Sequence, residues 1–209
     1  MCHVGIMQSP SSPLIDDLDF AAVMPNPPHS ELHTRVIEAP IDRVWQSLLE
    51  LPADEIRLLK PLFALRGLPA TVLGRRAPQP IGADPVLDLF AKEGFVMLRK
   101  DAEPSDGHAI MIFGAAGKFW SPAHNGPVQF ESAADFVEFD QPGNAITFAR
   151  FEAWQVGGRT RLETETVVDV TDPASRRKFA SYWAVIRAPS GLLRRSWLAA
   201  VDRRARAER

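Results

Sequence analysis

The chain has 209 residues and a mass of 23.1 kDa, enough for one domain with its own core, since domains run to roughly 150 residues. Apolar residues make up 45% and charged residues 24%, which excludes a wholly disordered, collagen-like or coiled-coil chain. The net charge of −2 hides an asymmetry: residues 175–209 hold ten Arg or Lys against Asp202 and Glu208, a surplus of +8 on a body of −10.

No apolar run approaches the roughly 20 residues of a membrane-spanning helix, so no transmembrane segment is expected. Cys2 is the single cysteine, so no intramolecular disulfide and no zinc cluster is expected. The start MCHVGIMQSPSS lacks the basic region and apolar stretch of a secretory leader, and a cytoplasmic protein is the expectation.

Residues 1–31 carry five prolines, several serines and one short apolar cluster from Leu14 to Val23. Proline fixes φ and removes donors, so these residues read as a tail lying on the domain surface and not needed for folding. The segment Leu32 to Ala39 alternates and stops at Pro40, a first strand. Ile41, Val44, Trp45, Leu48 and Leu49 then fall at helical spacing. ADEIRLLKPLFAL follows, with acids in its first turn and Pro61 inside, so two short helices are expected where a longer one would kink. From Gly67 to Pro85, Pro and Gly recur and predict loops around at most one short strand near Ala70 to Arg75.

From Gly94 onward β signals dominate. GFVMLRK and HAIMIFG, separated by Glu103 to Gly107, predict a hairpin. The following Gly114 to Gly117 reads as a bend. In SAADFVEFDQPG, Ser132 followed three residues later by Asp135 resembles a capping box and predicts a short helix, with a strand as the alternative. AITFARFEAWQV and RTRLETETVVDV flank Gly157-Gly158, the pattern of a long hairpin with a tight turn. In its second strand Arg161, Glu163, Glu165 and Val167 share one face, and Leu162, Thr164, Thr166 and Val168 the other. Beyond Asp172-Pro173 a helical stripe runs through Phe179, Trp183, Ile186, Ser190, Leu193, Trp197, Val201 and Arg204. It keeps phase across Pro189, so one long helix kinked there is predicted.

Together these describe an α+β domain in which a curved antiparallel sheet wraps round a long C-terminal helix, with two short helices after the first strand. RVIEAPIDRVWQSL is similar to the strand, proline and first helix of the START-like and Bet v 1-like helix-grip superfamily (SRPBCC). The chain from about Leu32 to Ala207 resembles that superfamily in order and pattern. Within it, a bacterial group of uncharacterised proteins resembles the chain at GKFW (Gly117 to Trp120), FDQPGNA (Phe139 to Ala145) and TETVVDVTDPASRRKFASYW running into VIRAPSGLLRR. The resemblance implies a domain over 32–209 with a cavity between sheet and helix that holds an apolar small molecule. It implies no one reaction, because carriers, sensors and enzymes share the fold.

Phosphate-loop, dinucleotide, HExxH and GxSxG motifs are all missing from the sequence, and neither metal nor other cofactor is expected. Cys2 and His3 would supply only two metal ligands. Trp120, Pro122 and His124 suit the lip of a pocket, with an anchored Trp and exposed His as the bland alternative. Glu163 and Glu165, about 7 Å apart along a strand, would make an acid/base pair in a dry cavity, but more often pair with Arg150, Arg159 or Arg161 on a solvated face. With the glutamates outward, the cavity face carries Thr164 and Thr166. The stripe Phe179, Trp183, Ile186 is core and cavity wall at once. Tyr182 and Ser190 offer hydroxyls, and Arg187 a partner for a carboxylate.

The reading is therefore a binding domain for an apolar or amphipathic, lipid- or polyketide-like molecule, contacted by Trp120, Thr164, Thr166, Phe179, Trp183, Ile186, Arg187 and Ser190. A cyclase- or dehydratase-like enzyme using His124, Glu163 or Tyr182 is the alternative. The basic end reads first as a solvated helix face paired to the acidic body, with no nucleic-acid partner. The competing reading is a membrane-surface or nucleic-acid partner.

Overall fold

A computed structural model describes residues 14–15, 18–61, 82–121 and 127–207. The expected strand near Ala70 to Arg75, the loop residues Pro122 and His124, and the Cys2-His3 pair lie outside them.

Strand β1 spans His29–Ile37 and Pro40 caps helix α2, Ile41–Leu49, which follows the short α1, Phe20–Val23. α2 buries Ile41, Val44, Trp45 and Leu48, the spacing its sequence shows, and Trp45 Nε1 donates to the Asp101 carbonyl at 2.9 Å. Residues Ala53–Glu55 form a 3-10 turn. Helix α3, Val86–Lys92, follows Pro85, between the stretch read as loops and the first β signal, where no element was expected. Its Phe90 and Phe95, just beyond, enter the core, a short apolar run hidden among prolines.

β2 (Val96–Lys100) and β3 (His108–Gly117) form the predicted hairpin, turning through Asp106 and Gly107 at positive φ. The Gly114 to Gly117 segment is not a bend; it continues β3. A Cβ at Gly114 would lie 2.3 Å from two ring carbons of Phe136, so the glycine is there for packing. Phe136 comes from α4, Ala133–Val137, whose cap Ser132 Oγ accepts from the Asp135 amide at 3.1 Å. β4 (Ala145–Val156) and β5 (Arg159–Val170) form the long hairpin, with Gly157 at φ 61°.

The five strands make one curved antiparallel sheet in the order β1-β5-β4-β3-β2, and it does not close. Helix α5 runs unbroken over Pro173–Ala207 with Pro189 inside it, and it lies against β1, β5 and α2. The fold is α+β with a helix-grip arrangement, as the sequence implies. None of the described helices is long and apolar enough to cross a membrane.

Two apolar layers flank the sheet. On the helix side Ile37, Trp45, Met111, Phe113, Phe151, Leu162, Trp197 and Val201 form the main core. On the outer side Leu98, Ile110, Ile112, Phe136 and Phe148 form a second one, against which Ile15, Leu18, Phe20, Val23 and Met24 pack. The Ile15 amide also donates to the Leu98 carbonyl at 2.8 Å. The described N-terminal residues are thus a cover for the outer layer, and β1 starts at His29, three residues before the boundary at 31/32 drawn from composition.

Candidate functional site

The sheet-facing stripe of α5 changes character along its length. Near its start Phe179 is buried among His29, Trp120, Tyr182 and Trp183, with ring centroids 5.1–6.0 Å away. Toward its end Trp197 is buried against Phe151 and Phe90 at 4.8 and 5.2 Å, and Phe113 and Phe95 complete that cluster. Between them Trp183, Ile186 and Ser190 are only half-buried. Apart from Arg187, which is exposed, the residues expected to touch a ligand therefore lie along the contact of α5 with the sheet, where the helix stripe is only partly buried.

The register of β1 on β5 sets what faces this part of the helix. Glu31 pairs with Thr166 and His33 with Thr164, so all four lie on the helix side, and both threonines are buried. Arg194, one turn beyond Ser190, donates from its two Nη atoms to Ser190 Oγ and Thr166 Oγ1, and its Nη1 lies 3.8 Å from Glu31 Oε2. Glu31 Oε1 lies 3.2 Å from His33 Nε2; these side chains are 11% and 9% exposed. Gly191 makes this possible, because a Cβ there would sit 2.4 Å from Glu31 Oε1.

This polar floor is not fully satisfied. Glu31 Oε2, His33 Nε2 and, deeper, Trp197 Nε1 are buried without a hydrogen bond, and such atoms cost free energy unless a donor or acceptor reaches them. Burial pushes His33 below its ordinary 6.5, and Arg194 and Arg195 push the same way while Glu31 opposes them. Burial also lowers Arg194, to about 10, against the pull of Glu31. At neutral pH the floor holds one cation, one anion and a neutral imidazole, so it carries no net charge.

Below it, Arg35 Nε and Nη2 donate to Asp202 Oδ2 at 2.8 and 2.6 Å, and Arg206 Nε lies 2.8 Å from Asp202 Oδ1. With Asp202 buried, this bridge ties the helix to the edge strand.

Glu163 and Glu165 lie on the opposite face. Glu165 Oε2 accepts from Arg150 Nε and Nη2 at 3.0 and 2.9 Å. Glu163 accepts from Thr34 Oγ1 at 3.2 Å and lies 3.8 Å from Arg150 and 3.6 Å from Arg161. Arg150 also pairs with Glu152, which holds His108 Nε2 at 2.8 Å. This network is half-covered by the N-terminal residues, with the Arg150 guanidinium 5.2 Å from the Phe20 ring centre. Two grooves accompany that cover, of about 620 Å³ beside Phe20, Arg150 and Glu165 and about 410 Å³ beside Met24, Phe136 and Phe148. Both grooves lie on the outer side of the sheet, and Glu163 is separated from the α5 stripe by the sheet. Among the described residues no group of three His, Cys, Asp or Glu converges as a metal would require.

Sequence reasoning missed Glu31, His33 and Arg194. The available signal was the alternation of HSELHTRVI, in which His29, Glu31, His33 and Arg35 share the helix-facing side with Ile37 while Leu32 and Val36 fall on the other.

No family model matches the chain, and no curated protein matches it. Solved structures that align with it include a hypothetical protein from Helicobacter pylori at 7% identity, covering 90% of this chain and 94% of that one, with a TM-score of 0.41. Another is a protein from Thermus thermophilus, at 14% identity over 86% of this chain and 99% of that one, with a TM-score of 0.29. A third is Ara h 8.0201, a Bet v 1 family protein, at 7% identity over 83% and 97%, with a TM-score of 0.28. The likeness is weak, and the fold stands on the strand order and helix placement given above.

Proposed function

We propose that the protein binds an apolar or amphipathic small molecule between the sheet and α5, its apolar part along Trp120, Phe179, Trp183 and Ile186 and its polar end at the Glu31, His33 and Arg194 floor. The observation that carries this reading is the half-open middle of an otherwise buried helix stripe, directly beside buried polar atoms that lack hydrogen bonds. Aromatic and aliphatic walls with a few convergent polar groups are the usual make-up of a small-molecule site.

The floor also selects the head group. With no net charge, it suits a hydroxyl or carbonyl better than a phosphate or carboxylate, which would add an uncompensated anion to a buried site. A hydroxyl would donate to Glu31 Oε2, and a carbonyl would accept from the imidazole of His33 in its Nε2–H form. Lipid- and polyketide-like hydroxy compounds are the class proposed. The packing of Trp197, Phe151, Phe113 and Phe90 on one another fills the lower part of the contact, which limits the ligand to the Phe179–Ser190 end.

Titration of tryptophan fluorescence with fatty alcohols, fatty acids and hydroxylated aromatic polyketides tests this. Saturable quenching is expected, strongest for the uncharged hydroxy compounds and lost in Trp183→Ala with the fold intact. No response to any member of the panel would overturn the reading.

A further inference from the structure

Ten basic residues beyond Ala174 read most simply as a solvated face paired to the acidic body, and the structure splits them. Arg204 pairs with Glu50 and Glu55, Arg206 with Asp202, Arg176 with Asp169 and Arg194 with Glu31; Arg203 donates to the Ala199 and Glu55 carbonyls, and Arg209 lies outside the described residues. Arg177, Lys178, Arg187 and Arg195 are exposed and make no ion pair among the described residues. No acid occurs in α5 before Asp202, so nothing on their own helix offsets them.

The same outward face carries exposed apolar side chains. Val185 is 74% exposed and Leu192 50%, and Ala184 and Ala188 beside them are exposed too. On a helix, positions three or four apart share a face, so Arg177, Ala184, Ala188, Leu192 and Arg195 line up, flanked by Val185 and Lys178 on one side and Arg187 on the other. An apolar centre framed by unpaired cations, on a helix whose far face is already packed, is the pattern of a helix lying in the headgroup region of an anionic bilayer. Nucleic acid would use the cations but gain nothing from exposed Val185 and Leu192.

We infer that the outward face of α5 between Arg177 and Arg195 docks the protein on an anionic lipid surface, with Val185 and Leu192 entering the headgroup boundary. Charge complementarity fixes the occupant: four unopposed cations meet anionic headgroups, and each contributes about fivefold to partitioning. This inference is independent of the ligand reading, because the docking face points away from the sheet.

Co-sedimentation of the full chain with phosphatidylglycerol-rich vesicles tests it against vesicles of phosphatidylcholine alone and against duplex DNA. Binding to the anionic vesicles only is expected, weakening steeply with salt. Arg187→Gln with Arg195→Gln should lower partitioning by about 25-fold, and Val185→Ser with Leu192→Ser by about tenfold, both with wild-type melting because the four positions are exposed. Absence of binding to phosphatidylglycerol-rich vesicles overturns the inference. So does duplex DNA binding that depends on the arginines and ignores Val185 and Leu192.

Discussion

Arg194→Met isolates the polar floor. It keeps an unbranched apolar stem but removes the guanidinium, and with it the cation opposite Glu31 and the donors to Thr166 and Ser190. Removing one partner of a buried ion pair costs about 3–5 kcal/mol, because the remaining charge is left desolvated. Glu31 retains 11% exposure and His33 beside it, which places the expected loss at the lower end, about 3 kcal/mol at pH 7. The pH dependence then identifies the cause. A desolvated carboxylate without its cation binds a proton more readily than in the unfolded chain, so its cost is full at high pH and shrinks as pH falls through the raised value. His33, no longer repelled by Arg194, takes up a proton and acts in the same direction. Urea denaturation at pH 7 and pH 5 should therefore show a deficit that narrows on acidification, by about 1.4 kcal/mol for each pH unit between 5 and the carboxyl's raised value. Adding Glu31→Gln should recover at least half of the pH 7 loss. A deficit below about 1 kcal/mol at pH 7, or one equal at both pH values, would refute the described geometry.

In the wild type, burial lowers His29 and His33 below 6.5; the unfolded chain then binds more protons below that pH, so thermal stability should fall as pH drops from 7 toward 5, and His29→Gln with His33→Gln should flatten the profile. Trp197→Ala should cost about 3–5 kcal/mol in chemical denaturation, whereas half-exposed Trp183→Ala should cost about 1–2 kcal/mol, since it gives up only part of its area. Gly114→Ala should lose about 1–3 kcal/mol through its clash with Phe136, and Phe136→Leu in the same chain should recover part of that loss. A chain beginning at Pro28 should still unfold cooperatively but with stability lower by about 1–3 kcal/mol, the share of Leu18, Phe20, Val23 and Met24 on the outer layer.

The sequence exposes elements whose pattern is local. The Gly157-Gly158 hairpin, the Ser132 cap and the α5 stripe each follow from neighbours a few residues apart, and each stands where the pattern puts it. Thr164, Thr166 and Ser190 were legible as candidates for the same reason, from strand alternation and helical spacing. What joins them was not. In β1 the apolar residues Leu32 and Val36 are half-exposed on the outer side, and Glu31, His33 and Arg35 turn inward because Arg194 and Asp202 wait on a helix more than 160 residues away. Binary patterning assigns such a strand to the wrong face, since counter-charges so distant in sequence leave no mark near it. Gly114 and α3 were missed likewise: one is a glycine kept for a ring arriving from elsewhere, the other a helix set among prolines.

Native mass spectrometry of the gently purified full-length chain tests the central claim most directly. A bound small molecule of neutral, hydroxylated and largely apolar character should accompany the wild type and be lost from Trp183→Ala and Arg194→Met. A bare wild-type chain that also fails to take up every member of the hydroxy-lipid and polyketide panel, or a retained ligand indifferent to both substitutions, would contradict binding between the sheet and α5.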